Sequence, residues 1–215
     1  MKTKSLNPLI YIVVAFVLFA FSSTAQSDAK AEQILKDVTA KTKSYTSIKV
    51  SFDYKLDNKT ENIHESQAGS LLIKGNMFKL KIAGQEIYND GETVWTYMKE
   101  EQEVQINEVD EDDEDELNPN NLFTIYENGF KKKFISENAT TYTIDLFPTE
   151  TKNYSRIRIT INKAKKHINN CKVFDKSGTV YTYIVKSFTP NTAVTANSFT
   201  FNISKYPGVE EVDLR

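Results

Sequence analysis

The sequence predicts an α+β fold: a single antiparallel sheet of about ten strands, strongly curved, with two or three helices. Three observations predict it. Apolar residues occupy every second position through most of the chain, the period of a strand with one buried face. Aromatic residues are plentiful, with 13 Phe and 11 Tyr, while Gly and Pro are scarce at 7 and 5. That composition favours sheet over loop. A sheet so large must also curl, so the apolar sides of its strands line one concave face that few helices are present to cover.

The N-terminus reads as an export signal. Lys2 and Lys4 precede an uncharged apolar run, residues 9–21 (LIYIVVAFVLFAF), and Ser22, Ser23, Thr24 and Ala25 supply small residues for cleavage after Ala25. The run falls short of the ~20 residues a spanning helix needs. Residues 1–25 are therefore expected to be a secretory signal peptide, leaving 26–215 as one domain exported from the cytoplasm. No Cys follows the apolar run to take a lipid. Without Lys2 and Lys4, 25 basic residues face 29 acidic ones, a net charge of −4 that argues against a nucleic-acid binder. Cys171 stands alone, so no disulfide closes within the chain; a core of this size does without one.

The first element is a helix. Ala31, Ile34, Leu35 and Val38 fall on one face, with Asp28 as the N-cap. Strands follow. Ile48, Val50, Phe52, Tyr54 and Leu56 alternate with Ser47, Lys49, Ser51, Asp53 and Lys55. Residues 69–74 form the second strand. Phe78, Leu80 and Ile82 alternate with Lys79 and Lys81 in the third. Asn89, Asp90 and Gly91 mark a hairpin turn, because Asp-Gly tolerates positive φ. Residues 93–98 and 103–109 are the next strands. An unbroken acidic run then extends from Asp110 to Glu116. Asn118 and Pro119 open a second helix, 118–129, that carries Leu122, Phe123, Ile125 and Tyr126 and ends at Gly129. The alternation resumes at Tyr142, Ile144 and Leu146, and at Ile157, Ile159 and Ile161. Residues 167–174 pair through a turn at 175–178 with 179–186. Phe199, Phe201 and Ile203 close the series as a last strand.

Two stretches resemble a known family. Residues 69–80 (GSLLIKGNMFKL) and 87–97 (IYNDGETVWTY) are similar to the outer-membrane lipoprotein carrier proteins, the LolA family, with 90–97 as the most specific part. The order of signal peptide, leading helix, mid-chain helix and terminal Pro207-Gly208-Val209 agrees with it. The resemblance implies an unclosed β-barrel with helices as a lid over an apolar cavity. It also implies a monomeric carrier, without cofactor, of acylated lipoproteins. The carrier would take cargo from an inner-membrane ATP-driven transporter and pass it to an outer-membrane receptor or to the membrane itself. The family Arg that helps latch the lid is missing; its place reads Lys74, Gly75, Asn76. The latch is then expected either to use other contacts or to be looser.

Acyl chains suit such a lining, since each buried CH₂ is worth ~0.8 kcal/mol and aromatic rings give area with few rotamers to freeze. The expected acyl-binding residues are Phe52, Tyr54, Phe78, Leu80, Ile82, Trp95 and Tyr97, with Leu122, Phe123, Ile125 and Tyr126 as the lid. Taken singly, each position reads as ordinary core; the set carries the cavity. No catalytic or metal-binding residues are expected. The acidic run lacks the central Gly and the spacing of a Ca²⁺ loop and reads as a solvated loop, with a partner-docking patch near the lid or a self-repelling hinge as the other reading. His64 and His167 show no ligand spacing. Cys171 reads as a small buried residue. No nucleophile motif, phosphate loop or C-x-x-C occurs, which weighs against an exported lipid hydrolase. The alternative to a carrier is a periplasmic domain of the same fold that senses lipid or lipoprotein and regulates.

Overall fold

The computed structural model describes residues 27–109 and 126–215. The expected signal peptide, the acidic run and most of the mid-chain helix lie outside them. One helix, α1 (27–43), precedes twelve strands. These are β1 (Ile48–Asn58), β2 (Ile63–Lys74), β3 (Met77–Ile82), β4 (Gln85–Asn89), β5 (Thr93–Met98), β6 (Glu103–Glu108), β7 (Phe130–Glu137), β8 (Thr141–Pro148), β9 (Tyr154–Asn162), β10 (Ile168–Asp175), β11 (Thr179–Pro190) and β12 (Glu210–Asp213). They form a single sheet in the order β12-β6-β5-β4-β3-β2-β1-β11-β10-β9-β8-β7. Neighbours are antiparallel except β12, which runs parallel to β6. The sheet is thus two meanders, β1–β6 and β7–β11, joined along the long central pair β1 and β11. None of the described helices is long and apolar enough to cross a membrane.

The expected alternation sets most strands, and the expected turns form as their residues dictate. Gly91 has φ +101° and its N–H donates to Asn89 Oδ1 at 2.7 Å. Gly178 has φ +93° at the β10–β11 turn. Four expectations need correction. Asp28 lies inside α1 rather than capping it, since the helix already runs at Ser27. Residues 126–129 are turn, not the end of a helix; Gly129, at φ +76°, leads straight into β7. Strands β4, β7 and β12 join the expected ones, giving twelve. Residues 199–203 are not a strand: they run irregularly between 3-10 turns at Ala196–Ser198 and Ile203–Lys205. The last strand is instead β12, which pairs with β6 at one edge of the sheet.

Directly opposed residues in an antiparallel pair share a face, so the pairings define two sides of the sheet. The inner face carries α1. Ala31, Leu35 and Val38 are buried there against Ile144 and Leu146 of β8 and Ile157, Ile159 and Ile161 of β9. Ion pairs rivet the helix rim to the sheet: Lys30 to Glu137 at 2.6 Å, Glu32 to Lys132 at 2.8 Å and Asp37 to Lys166 at 2.8 Å. Lys43 ties its last turn to Glu127 at 2.8 Å.

Candidate functional site

A second apolar cluster occupies the inner face of β1–β4 and β11, and no residue of α1 takes part in it. Ile48, Val50 and Phe52 of β1, Leu71 and Ile73 of β2 and Phe78 of β3 are buried. Around them Tyr54, Leu80, Ile82, Ile87, Tyr183 and Val185 are only partly buried. The register explains why they converge. Ile73 opposes both Ile48 and Phe78; Leu71 opposes Val50 and Leu80; Leu80 opposes Ile87. On the other flank, Phe52 opposes Val185 and Tyr54 opposes Tyr183. Five strands thereby turn their apolar positions to one side.

Rings dominate one flank of this face. Tyr54 lies 5.3 Å from Tyr183 and 6.3 Å from Tyr181, and Phe52 lies 6.1 Å from Tyr183. Gly69, opposite Phe52 in the register, makes the arrangement possible: a Cβ there would meet the Phe52 ring at 2.4 Å. The ring lies on bare backbone. Burial raises the phenols of Tyr183 and Tyr54 above their ordinary range, so both stay neutral. Phe188 closes one end, stacked on His167 at 4.6 Å and packed against Tyr45 at 5.9 Å.

Of the seven expected lining residues, Phe52, Tyr54, Phe78, Leu80 and Ile82 are brought together here. Trp95 and Tyr97 are not. Ile87 opposes Thr96, whereas Tyr88 opposes Trp95 and Glu86 opposes Tyr97. Trp95 and Tyr97 therefore face the other side of the sheet. There Tyr97 is buried with Tyr88, Val104 and Ile106, under rings of the C-terminal segment: Tyr206 at 4.7 Å and Phe201 at 5.6 Å from Tyr97. Alternation within 179–186 carried the signal for Tyr181, Tyr183 and Val185, which complete the inner face.

Leu122, Phe123 and Ile125 lie outside the described residues. Tyr126 is fully buried in the helix-covered cluster. Burial pushes its phenol up to about 12, partly offset by Thr39. A cavity of about 290 Å³ lies in that same half, between α1 and β8–β9, with Ile34, Val38, Tyr142 and Ile161 in its wall. It is small for a ligand pocket and remote in the sheet order from β1–β4. His64 pairs with Asp57 at 2.9 Å, and burial lowers the pKa of His167, which favours its neutral ring. Burial pushes the Cys171 thiol up to about 12, which leaves it unreactive. Among the described residues no group of His, Cys, Asp and Glu is placed to hold a metal.

Residues 43–202 match the family described as outer membrane lipoprotein carrier protein LolA. Among solved structures, an uncharacterized conserved protein from Thermus thermophilus is similar at 13% identity and a TM-score of 0.57, over 86% of this chain and 99% of that one; the likeness is one of fold. A LolA-superfamily protein from Nitrosomonas europaea is similar at 13% identity and a TM-score of 0.43, over 80% of this chain and 97% of that one. Lipoprotein LppX of Mycobacterium tuberculosis is similar at 11% identity and a TM-score of 0.46, over 79% of this chain and all of that one. No curated protein sequence matches the chain.

Proposed function

The chain belongs to the LolA family, and from that premise we propose that it carries acylated lipoproteins, holding their acyl chains on the inner face of β1–β4 and β11. The observation that carries the proposal is a five-strand apolar face whose rim residues stay partly exposed while α1 is fastened over the other half of the sheet. A carrier must hold lipid and also release it. At ~0.8 kcal/mol per buried CH₂, full enclosure of several long chains would hold them beyond useful release. A face that covers acyl chains on one side realises only part of that energy. The proposed contacts are Tyr54, Leu80, Ile82, Tyr183 and Val185, with Phe52 and Phe78 as the floor. Trp95 and Tyr97 have no part in it. In this reading the protein works in the periplasm between an inner-membrane transporter and an outer-membrane acceptor, as a monomer without cofactor.

Photo-crosslinking tests it. A photoreactive residue at Leu80 should capture acylated proteins in cells, whereas one at Lys81, the next residue on the same strand but on the other face, should not. Capture of nothing acylated from Leu80, or equal capture from both positions, overturns the assignment.

A further inference from the structure

We propose that the outer face of β7–β10 docks on an anionic phospholipid surface. The register lines cations up across it. Lys133 opposes Asp145, Asp145 opposes Arg158, and Arg158 opposes Lys172, one row crossing four strands. With strands about 4.8 Å apart, Lys133 and Lys172 stand roughly 14 Å from each other. The neighbouring row carries Lys131 opposite Phe147, and Arg156 opposite Phe174. The remaining outward positions paired across these strands are uncharged: Thr141, Thr143, Thr160, Asn162, Ser136 and Asn170.

Five cations thus share the face with a single acid, and that acid is already engaged. Asp145 is 1% exposed. It accepts two hydrogen bonds from Arg158, at 2.6 and 2.8 Å, and lies 3.7 Å from Arg156. Lys131, Lys133 and Lys172 have no carboxylate partner among the described residues. The whole chain is net negative at −2, so this excess of positive charge is local rather than a reflection of composition.

The surface chemistry favours a bilayer. The cations are spread over four strands and are not gathered around one acceptor position, which suits mobile lipid phosphates that rearrange beneath them. Two phenyl rings sit among them. Phe147 is partly exposed, and Phe174 lies under the Arg156 guanidinium, 4.1 Å from the ring centroid. Cations interleaved with aromatic rings match the polar–apolar boundary of a membrane. The docking face is the reverse of the proposed acyl-binding face, so contact with a membrane leaves the latter open.

Vesicle flotation tests the inference, using protein purified from its native cells. Phosphatidylcholine vesicles with and without phosphatidylglycerol are the probes. The native protein should float with the phosphatidylglycerol vesicles only, and raised salt should release it, because exposed charges are screened. Replacing Lys131, Lys133 and Lys172 together with Ser should weaken binding at least tenfold. Replacing Lys36, Lys59 and Lys99, exposed lysines elsewhere, should leave it within twofold of native. Unchanged melting temperatures establish that both variants are folded. Absence of binding to phosphatidylglycerol, equal loss in the two variants, or tighter binding to soluble polyglutamate than to vesicles overturns the proposal. None of these outcomes bears on acyl capture at Leu80, so the two proposals fail separately.

Discussion

Glu137 shows how single residues hold this molecule. It sits at the end of edge strand β7 and accepts from Lys163 and from Lys30 of α1, each at 2.6 Å. Those two partners, Lys163 first, hold its carboxyl at about 2, against an ordinary 4.5. A depressed carboxylate stabilises the folded state above its unfolded pKa, and the contribution is lost as pH falls through the folded one. The window here runs from pH 4.5 down to about 2. Glu137→Gln should lower the melting temperature at neutral pH and flatten its fall through that window. Thermal scans against pH read both effects, and high salt should shrink them, because the site is exposed. Nothing in the sequence marked Glu137. Its partners lie 107 and 26 residues away, and only the finished register brings them together. Gly69 was equally mute: its role as the floor beneath Phe52 exists only through pairing of β1 with β2.

Among the elements, the C-terminal segment departs furthest from what its pattern promised. Phe199, Phe201 and Ile203 alternate as a strand would, but the segment runs irregularly and Phe201 is spent as a cover. Phe201 packs on Tyr88 at 5.6 Å, on Tyr97 at 5.6 Å and on Tyr206 at 4.6 Å. The Tyr88 hydroxyl donates to Glu86 at 2.7 Å and lies 3.2 Å from that of Tyr206. Phe201→Ala should cost about 2 kcal/mol of stability, less than a fully buried Phe because the ring is partly exposed. Phe201→Leu should recover most of it, as urea unfolding midpoints would show. This cover also explains the misplacement of Trp95 and Tyr97. Alternation tells which residues share a side within one strand. Which of the two sides is buried depends on what lies against it, and for β5 and β6 that is a segment about 100 residues later. Helix α1 was legible because its pattern, Ala31 to Val38, is complete within two turns.

At the scale of the molecule, one continuous sheet supports two cores. Leu35 belongs to the cluster under α1 and Leu71 to the cluster on β1–β4, with no buried residue in common. Each Leu→Ala change should cost about 2–5 kcal/mol. In the double variant the costs should add to within about 0.5 kcal/mol, as for sites without shared partners; denaturant titration of the four proteins checks it. The fold class was legible because period-two patterning recurs in nearly every segment. The inner-face residues Phe52, Tyr54, Phe78, Leu80 and Ile82 were legible for the same reason, since β1–β3 follow one another through hairpins and keep one hand. The strand order was not. Its central pair joins Ile48 to Pro190 and Asn58 to Thr179. Synthesis runs from the N-terminus, so β1 emerges early and waits for a neighbour made some 130 residues later. Until β11 arrives, what will be the middle of the sheet is a raw edge. The growing polypeptide therefore cannot zip shut along its main seam before it is almost entirely made.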